Sequence, residues 1–293
     1  MIKSGKTNDN IKLPKPNYFG LTGILFGFFI VLFVFVLIET LGTPFVMDQY
    51  AWDDNTAMIV VGVALSVGGI LSIFSFIASG YLSKKIDERK VMLLVGLLPT
   101  IIGTFLFIPF AGGDIKMQVC EGDNSTNSIV TTEATTSINE NIPLFNANYK
   151  ISYLDTDETS FYNSGGHTTG SNCSLGCPTS QEWCRTENKL EIPQLTVAFI
   201  IVILGYPIAN SLSQSIFSKM LGPKPQGIWM GILTGVGSLS RVTGPIFVSY
   251  VYTSFGTTVT FAIMTGTMVF AMVELVILYK YLVPMKIPDL SPK

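Results

Sequence analysis

Charged side chains are scarce in this chain. Asp, Glu, Lys and Arg make up 13% of its 293 residues, 18 basic against 20 acidic, with a single histidine, His167. There is no nucleotide-binding loop, no metal-ligating constellation and no nucleophile–base set. An enzyme is therefore not expected, nor a cofactor, a metal site or a nucleic-acid partner. Cysteine is equally rare, and Cys120, Cys173, Cys177 and Cys184 all fall in one loop.

What is plentiful is apolar sequence, 48% of the chain. The few charges leave six windows nearly free of them: Phe19–Leu41, Thr56–Tyr81, Val91–Ala111, Pro193–Met220, Gly227–Thr253 and Thr258–Leu282. A membrane span needs about 20 apolar residues at 1.5 Å rise each, and every window meets that. The expectation is an all-α polytopic membrane protein of six transmembrane helices. A polar tail over 1–18 precedes the membrane domain 19–282, and a second tail covers 283–293. The apolar run after residue 18 is too long for a cleaved signal, so the first span is expected to act as a signal anchor.

Orientation follows from Lys and Arg. Lys3, Lys6, Lys12, Lys15, Lys84, Lys85, Arg89, Lys90, Lys219, Lys224, Lys280, Lys286 and Lys293 fall on one side of the six-span arrangement, and only Lys116, Lys150, Arg185 and Lys189 on the other. The positive-inside rule then places both termini in the cytosol. The loop 112–191 lies opposite, carries 11 acidic residues against 4 basic ones, and is rich in Ser, Thr, Asn and Gly. It holds two N-glycosylation sequons, at Asn124 and Asn172. Oxidising conditions suit disulfides there; four cysteines allow three pairings, of which Cys177–Cys184 is the local one. Disorder is expected over Asn124–Glu140, and His167 reads as simply exposed.

Three ionisable residues lie inside the windows: Glu39, Arg241 and Glu274. Arg241 sits about 21 Å along its helix from Gly227, too deep to snorkel easily, so it needs a carboxylate, carbonyls, water or an anionic ligand. On a helical projection Gly231, Thr234, Ser238, Arg241, Pro245 and Ser249 share a small, polar side, with Trp229, Ile232, Val236, Leu239, Phe247 and Tyr250 opposite. The small side is expected to face other helices or a water-filled cavity. Gly235 and Gly244 add close-packing positions, and Gly222, Pro223, Pro225 and Gly227 form the tight turn before this helix. Glu39 reads as an interfacial carboxylate or as a protonatable group at the mouth of a pathway, with Pro44 closing its helix. Glu274 falls near the cytosolic end beside Lys280 and ranks last. The fourth window carries a Gly205-Tyr206-Pro207 break and a polar run, Asn210, Ser211, Ser213, Gln214, Ser215 and Ser218. That run suits interhelical hydrogen bonds, a polar pathway, or both.

The stretch SKMLGPKPQGIWMGILTGVGSLSRVTGPIFVSYVY, with ETLGTPFVMDQYAW and the basic turn LSKKIDER upstream, resembles the second half of lysosomal members of the major facilitator superfamily. Lys84 departs from the usual pattern of that turn, where an aspartate is common. The resemblance covers nearly all of 19–282 and implies one six-helix half of a two-half transporter. It also implies a lysosomal or other endomembrane location and movement of a small solute or anion, chloride among them. A partner is implied as well: an N-terminal half or a second copy of the chain in the lipid bilayer. Three functions are expected to compete: a carrier, proton-coupled through Glu39 facing an acidic lumen; a chloride-type channel; and a half-transporter that moves nothing by itself. The small face with its arginine suits an anionic or neutral polar solute.

Overall fold

The computed structural model describes residues 17–110, 112–118, 174–222 and 226–284. The chain divides into two units, Met1–Gln118 with Leu175–Lys293, and Val119–Ser174, and all the helices belong to the first. Cys120, Asn124, His167, Asn172, Cys173, Pro223 and Pro225 lie outside the described residues, as do the lysines of both tails.

Five helices are long and apolar enough to cross a membrane, and the described residues hold no strand, only two isolated bridges. They are α1 (Tyr18–Tyr50), α2 (Asp54–Lys85), α3 (Glu88–Leu106), α4 (Ile192–Leu221) and α5 (Gly227–Ile277), with a 3-10 turn Leu278–Lys280 closing the last. Two proline positions behave differently from expectation. Pro44 does not end α1, which runs through it to Tyr50. The Gly205-Tyr206-Pro207 stretch does not interrupt α4, whose helix is continuous across Pro207. In each case one backbone hydrogen bond is lost, a defect that neighbouring helices absorb in a membrane bundle. Pro99 acts further upstream: it cannot donate to residue 95, and the preceding turn, Met92–Leu97, widens into a π-helix. There Gly96 meets α4 so closely that a Cβ would lie 2.8 Å from the Ala209 nitrogen.

The fifth and sixth windows form one element of 51 residues, about 76 Å if it were straight. It is not straight. Gly256 has φ 83° and ψ −171°, a conformation that only glycine adopts without strain. Contacts with α1 reveal a reversal at that residue. Tyr18 packs on Trp229 with ring centroids 6.2 Å apart, and Phe19 on Tyr281 at 5.5 Å. At the far end of α1, Asp48 accepts a hydrogen bond from the Tyr252 hydroxyl, and Gln49 donates to Thr257 Oγ1. The arm Gly227–Phe255 therefore runs parallel to α1 and the arm Thr257–Ile277 antiparallel to it. The five elements make six rods.

The bundle's two ends differ in charge. Lys84, Lys85, Arg89, Lys90, Lys219 and Lys280 cluster where α2, α4 and α5 end and α3 begins. Asp48, Asp53, Asp54, Glu187 and Glu191 gather at the opposite end. At the basic end the turn between α2 and α3 acts as a clasp. Arg89 donates to both Asp87 carboxylate oxygens and to the Tyr279 carbonyl, and lies over the Tyr279 ring. Lys219 pairs with Glu88. The arginine beside it holds the Asp87 carboxyl below its ordinary 3.8.

Candidate functional site

Between α1, α2 and α4 lies an open-sided cavity of about 610 Å³. Apolar and aromatic side chains wall it, Phe35, Phe45, Phe76 and Phe199 among them. Glu39 is the one charged residue among the described lining, joined by Ser72, Thr196, Tyr206 and Asn210. Each arrives there for a local reason. Glu39 follows a run of apolar residues that bury the rest of α1, so it emerges exposed on the cavity side. Tyr206 stacks flat on Phe35, centroids 3.9 Å apart, tying α4 to α1. Asn210 lies one helical turn further on, and its Oδ1 is buried with no donor among the described residues. A buried carbonyl oxygen without a donor is costly. Ser72 turns its hydroxyl back to the Gly69 carbonyl.

Arg241 lies beside this cavity without lining it. Arg241 and Glu39 both lie within electrostatic range of Tyr206. Arg241 is exposed on the first arm of α5 and makes no salt bridge among the described residues. Leu233, Gly237, Ser240, Gly244 and Val248 form the stripe that packs on α1, where a Cβ on Gly244 would lie 2.9 Å from Val36 Cγ1. Thr234, Ser238, Gly227, Gly231 and Gly235 are exposed, and a Cβ on any of those three glycines would touch nothing within 4 Å. Among the described residues the small, polar face thus meets no neighbouring helix. Pro245 lies half-buried at its margin. Helical periodicity separates small residues from large ones but cannot tell which stripe meets a neighbour, because lipid and protein are both apolar.

Glu274 also departs from expectation. It is half-buried against Gly23 of α1, not simply at the surface, and its Oε2 has no donor among the described residues. In the polar run of α4, Ser213 bonds to its own helix and reaches Met92 Sδ of α3, while Ser211 bonds back to Ile208. Gly222, at φ 66°, ends α4, and its carbonyl accepts from Gln226 Nε2 across the turn.

The acidic end is held by a strap that sequence reasoning missed. In the structure a disulfide joins Cys177 and Cys184. Just beyond, Glu187 accepts hydrogen bonds from the backbone N–H of both Thr257 and Thr258, each at 2.9 Å. The carboxylate so caps the arm that begins after Gly256. Gln49 and Tyr50 of α1 take the Leu190 N–H and carbonyl. The signal was present in part: Gly256 between two apolar windows marks a helix start, but a capping carboxylate some 70 residues away leaves no local pattern. Tyr206 and Asn210 were visible only as a proline-flanking residue and as part of a polar run. Among the described residues no group of three His, Cys, Asp or Glu side chains is placed to hold a metal ion.

The sequence profile of the Major Facilitator Superfamily matches residues 6–120 and 177–293. Major facilitator superfamily domain-containing protein 8 of Xenopus laevis is 36% identical over 257 residues, 88% of this chain and 45% of that protein. The class E tetracycline resistance protein of Escherichia coli is 36% identical over 87 residues, 29% of this chain and 20% of that protein. Among solved structures, the POT family transporter PepTSo superposes with a TM-score of 0.57 at 12% identity, over 94% of this chain and 40% of that one. At that identity the likeness concerns the fold alone. The chain spans less than half the length of the relatives it matches.

Proposed function

The chain belongs to the major facilitator superfamily, and from that premise we propose that it works as one half of a carrier moving a small solute across an endomembrane, the lysosomal membrane first among them. The observation that carries this reading is the cavity between α1, α2 and α4, with Glu39, Tyr206 and Asn210 on its wall and Arg241 beside it. Carriers of this architecture bind their cargo at the interface of two helical repeats and rock the repeats around it. The first arm of α5 presents Gly231, Thr234, Gly235, Ser238 and Arg241 outward, and α2 is largely exposed along its length. Such faces suit a second six-helix half, either an N-terminal half or a second copy.

The charge difference between the two ends supports a cytosolic basic end and a lumenal acidic end. In that orientation the loop with Asn124 and Asn172 is lumenal and glycosylated. Glu39 then lies toward the lumen, where it exchanges protons with an acidic compartment and couples transport to them. The reversal at Gly256 supports six crossings. One observation favours a second reading, a chloride-type anion channel: Arg241 is a cation with no salt-bridge partner among the described residues, on a face of small and hydroxyl-bearing side chains.

Flux into liposomes containing the full chain, with chloride and pH gradients set independently, decides between them. The carrier reading expects proton-dependent uptake that Glu39→Gln uncouples. The channel expects chloride current indifferent to pH and to Glu39→Gln. Arg241→Ala abolishes anion movement if Arg241 serves the pathway, and unchanged flux removes it from the mechanism. Silence from well-folded protein overturns autonomous transport and leaves a half that needs its partner.

A further inference from the structure

We infer that the cavity between α1, α2 and α4 is a binding site for an amphipathic amine, a molecule with one positively charged nitrogen on an apolar, aromatic-sized body. The inference rests on the carrier reading only in taking this cavity as the place where cargo sits. Its volume, about 610 Å³, falls within the about 300–1,000 Å³ of small-molecule sites, which are mainly apolar with a few placed polar groups. A bare halide would occupy a small part of that space. It would also shed its hydration against hydrocarbon, beside a carboxylate of its own sign.

The lining assigns the charge. Glu39 is the only charged side chain among the described lining residues, so the cavity offers a counter-charge to a cation and none to an anion. Arg241 influences Tyr206 but is absent from the lining. Asn210 joins Ser72, Thr196 and Tyr206 in the polar part of the lining, with its Oδ1 buried away from the open space. The rings of Phe35, Phe76 and Tyr206 add faces that attract a desolvated cation.

Trp52 lines the same cavity, whereas Trp183 lies in the strap and Trp229 at the opposite end of the bundle. Energy transfer from Trp52 to a bound dansyl group therefore reports occupancy of this site. The full chain, purified in detergent, is titrated with dansylcadaverine (a cation), dansylamide (neutral) and dansylglycine (an anion). Saturable transfer from dansylcadaverine is expected, tighter than from dansylglycine and reduced in Trp52→Phe. Glu39→Gln weakens it by about tenfold or more, the worth of one charge-assisted contact. Glu39→Asp retains most of the affinity. Thermal melts matched to the parent certify that each variant is folded.

Binding of dansylglycine as tight as that of dansylcadaverine overturns the inference. So does an unchanged affinity in a folded Glu39→Gln variant, or the absence of saturable transfer. Amine binding without any flux in liposomes keeps the ligand class and overturns autonomous transport by this half. Flux of an inorganic anion without amine binding does the reverse.

Discussion

Replacing Glu187 with alanine tests whether the strap at the acidic end holds the helical reversal together. The first N–H groups of a helix have no intrahelical acceptor, and here two of them, on Thr257 and Thr258, point at the Glu187 oxygens. Removing a capping side chain costs about 0.5–2 kcal/mol, and losing a negative charge at a helix N-terminus costs a further ~0.3–1 kcal/mol. Thr257 is 0% exposed, so water cannot readily take over its bond and the upper part of that range applies. The loss expected for Glu187→Ala is therefore about 2–3 kcal/mol. At about 2–4 °C per kcal/mol for a domain of this size, the melting temperature of the purified chain falls by several degrees. Emission from Trp183 follows the transition locally, because that ring packs edge-on against Tyr252 beside the reversal. Glu187→Gln, which keeps an acceptor but loses the charge, falls between parent and alanine. A Glu187→Ala melt within about 1 °C of the parent, by Trp183 emission and by aggregation alike, refutes the reasoning.

Two glycines of the same helix should respond in opposite ways. Gly244→Leu drives a side chain into Val36 and lowers the melting temperature, an overpacking cost of about 1–3 kcal/mol. Gly231→Leu meets nothing within 4 Å and leaves the melt unchanged, yet it lowers transport if a second half seats on that face; equal melts for both variants contradict the packing described. The clasp at the basic end has a definite pH signature. Asp87 titrates below its ordinary 3.8 when folded, so its contribution is complete above that value and fades as pH falls through the folded value. The gap in stability between the parent and Asp87→Asn, measured by melts across pH, is thus flat above 3.8 and closes only below it. A gap that closes near neutrality contradicts this assignment.

Much of the fold was legible along the chain. Apolar windows located every membrane-capable helix, because burying twenty consecutive apolar residues in lipid needs no partner to be favourable. The end of α4 at Leu221 and the start of α5 at Gly227 were legible for a similarly local reason, the cluster of Gly and Pro in the sequence between them. Helix ends were less legible. α1 outruns its apolar window by nine residues, to Tyr50, because Asp48, Gln49 and Tyr50 find partners on Tyr252, Thr257 and Leu190. Those partners are 140 to more than 200 residues away, beyond any local pattern.

The candidate site divides in the same way. Glu39 and Arg241 stood out alone, as ionisable groups in apolar sequence, since the cost of placing them in lipid depends only on their own chemistry. Which of the three stripes of the first α5 arm meets α1 was decided by Gly237 and Gly244, where absent side chains let Leu32 and Val36 approach. That choice turned Arg241 outward. Only the packing of α1 on α4 stacked Tyr206 on Phe35 and left the Asn210 oxygen buried without a donor among the described residues. Sequence by itself determined which segments enter the membrane, because that is a transfer free energy summed over neighbours in the chain. Tertiary structure alone decided which polar groups meet, because that depends on how two helices rotate against each other, and hydropathy is silent about rotation.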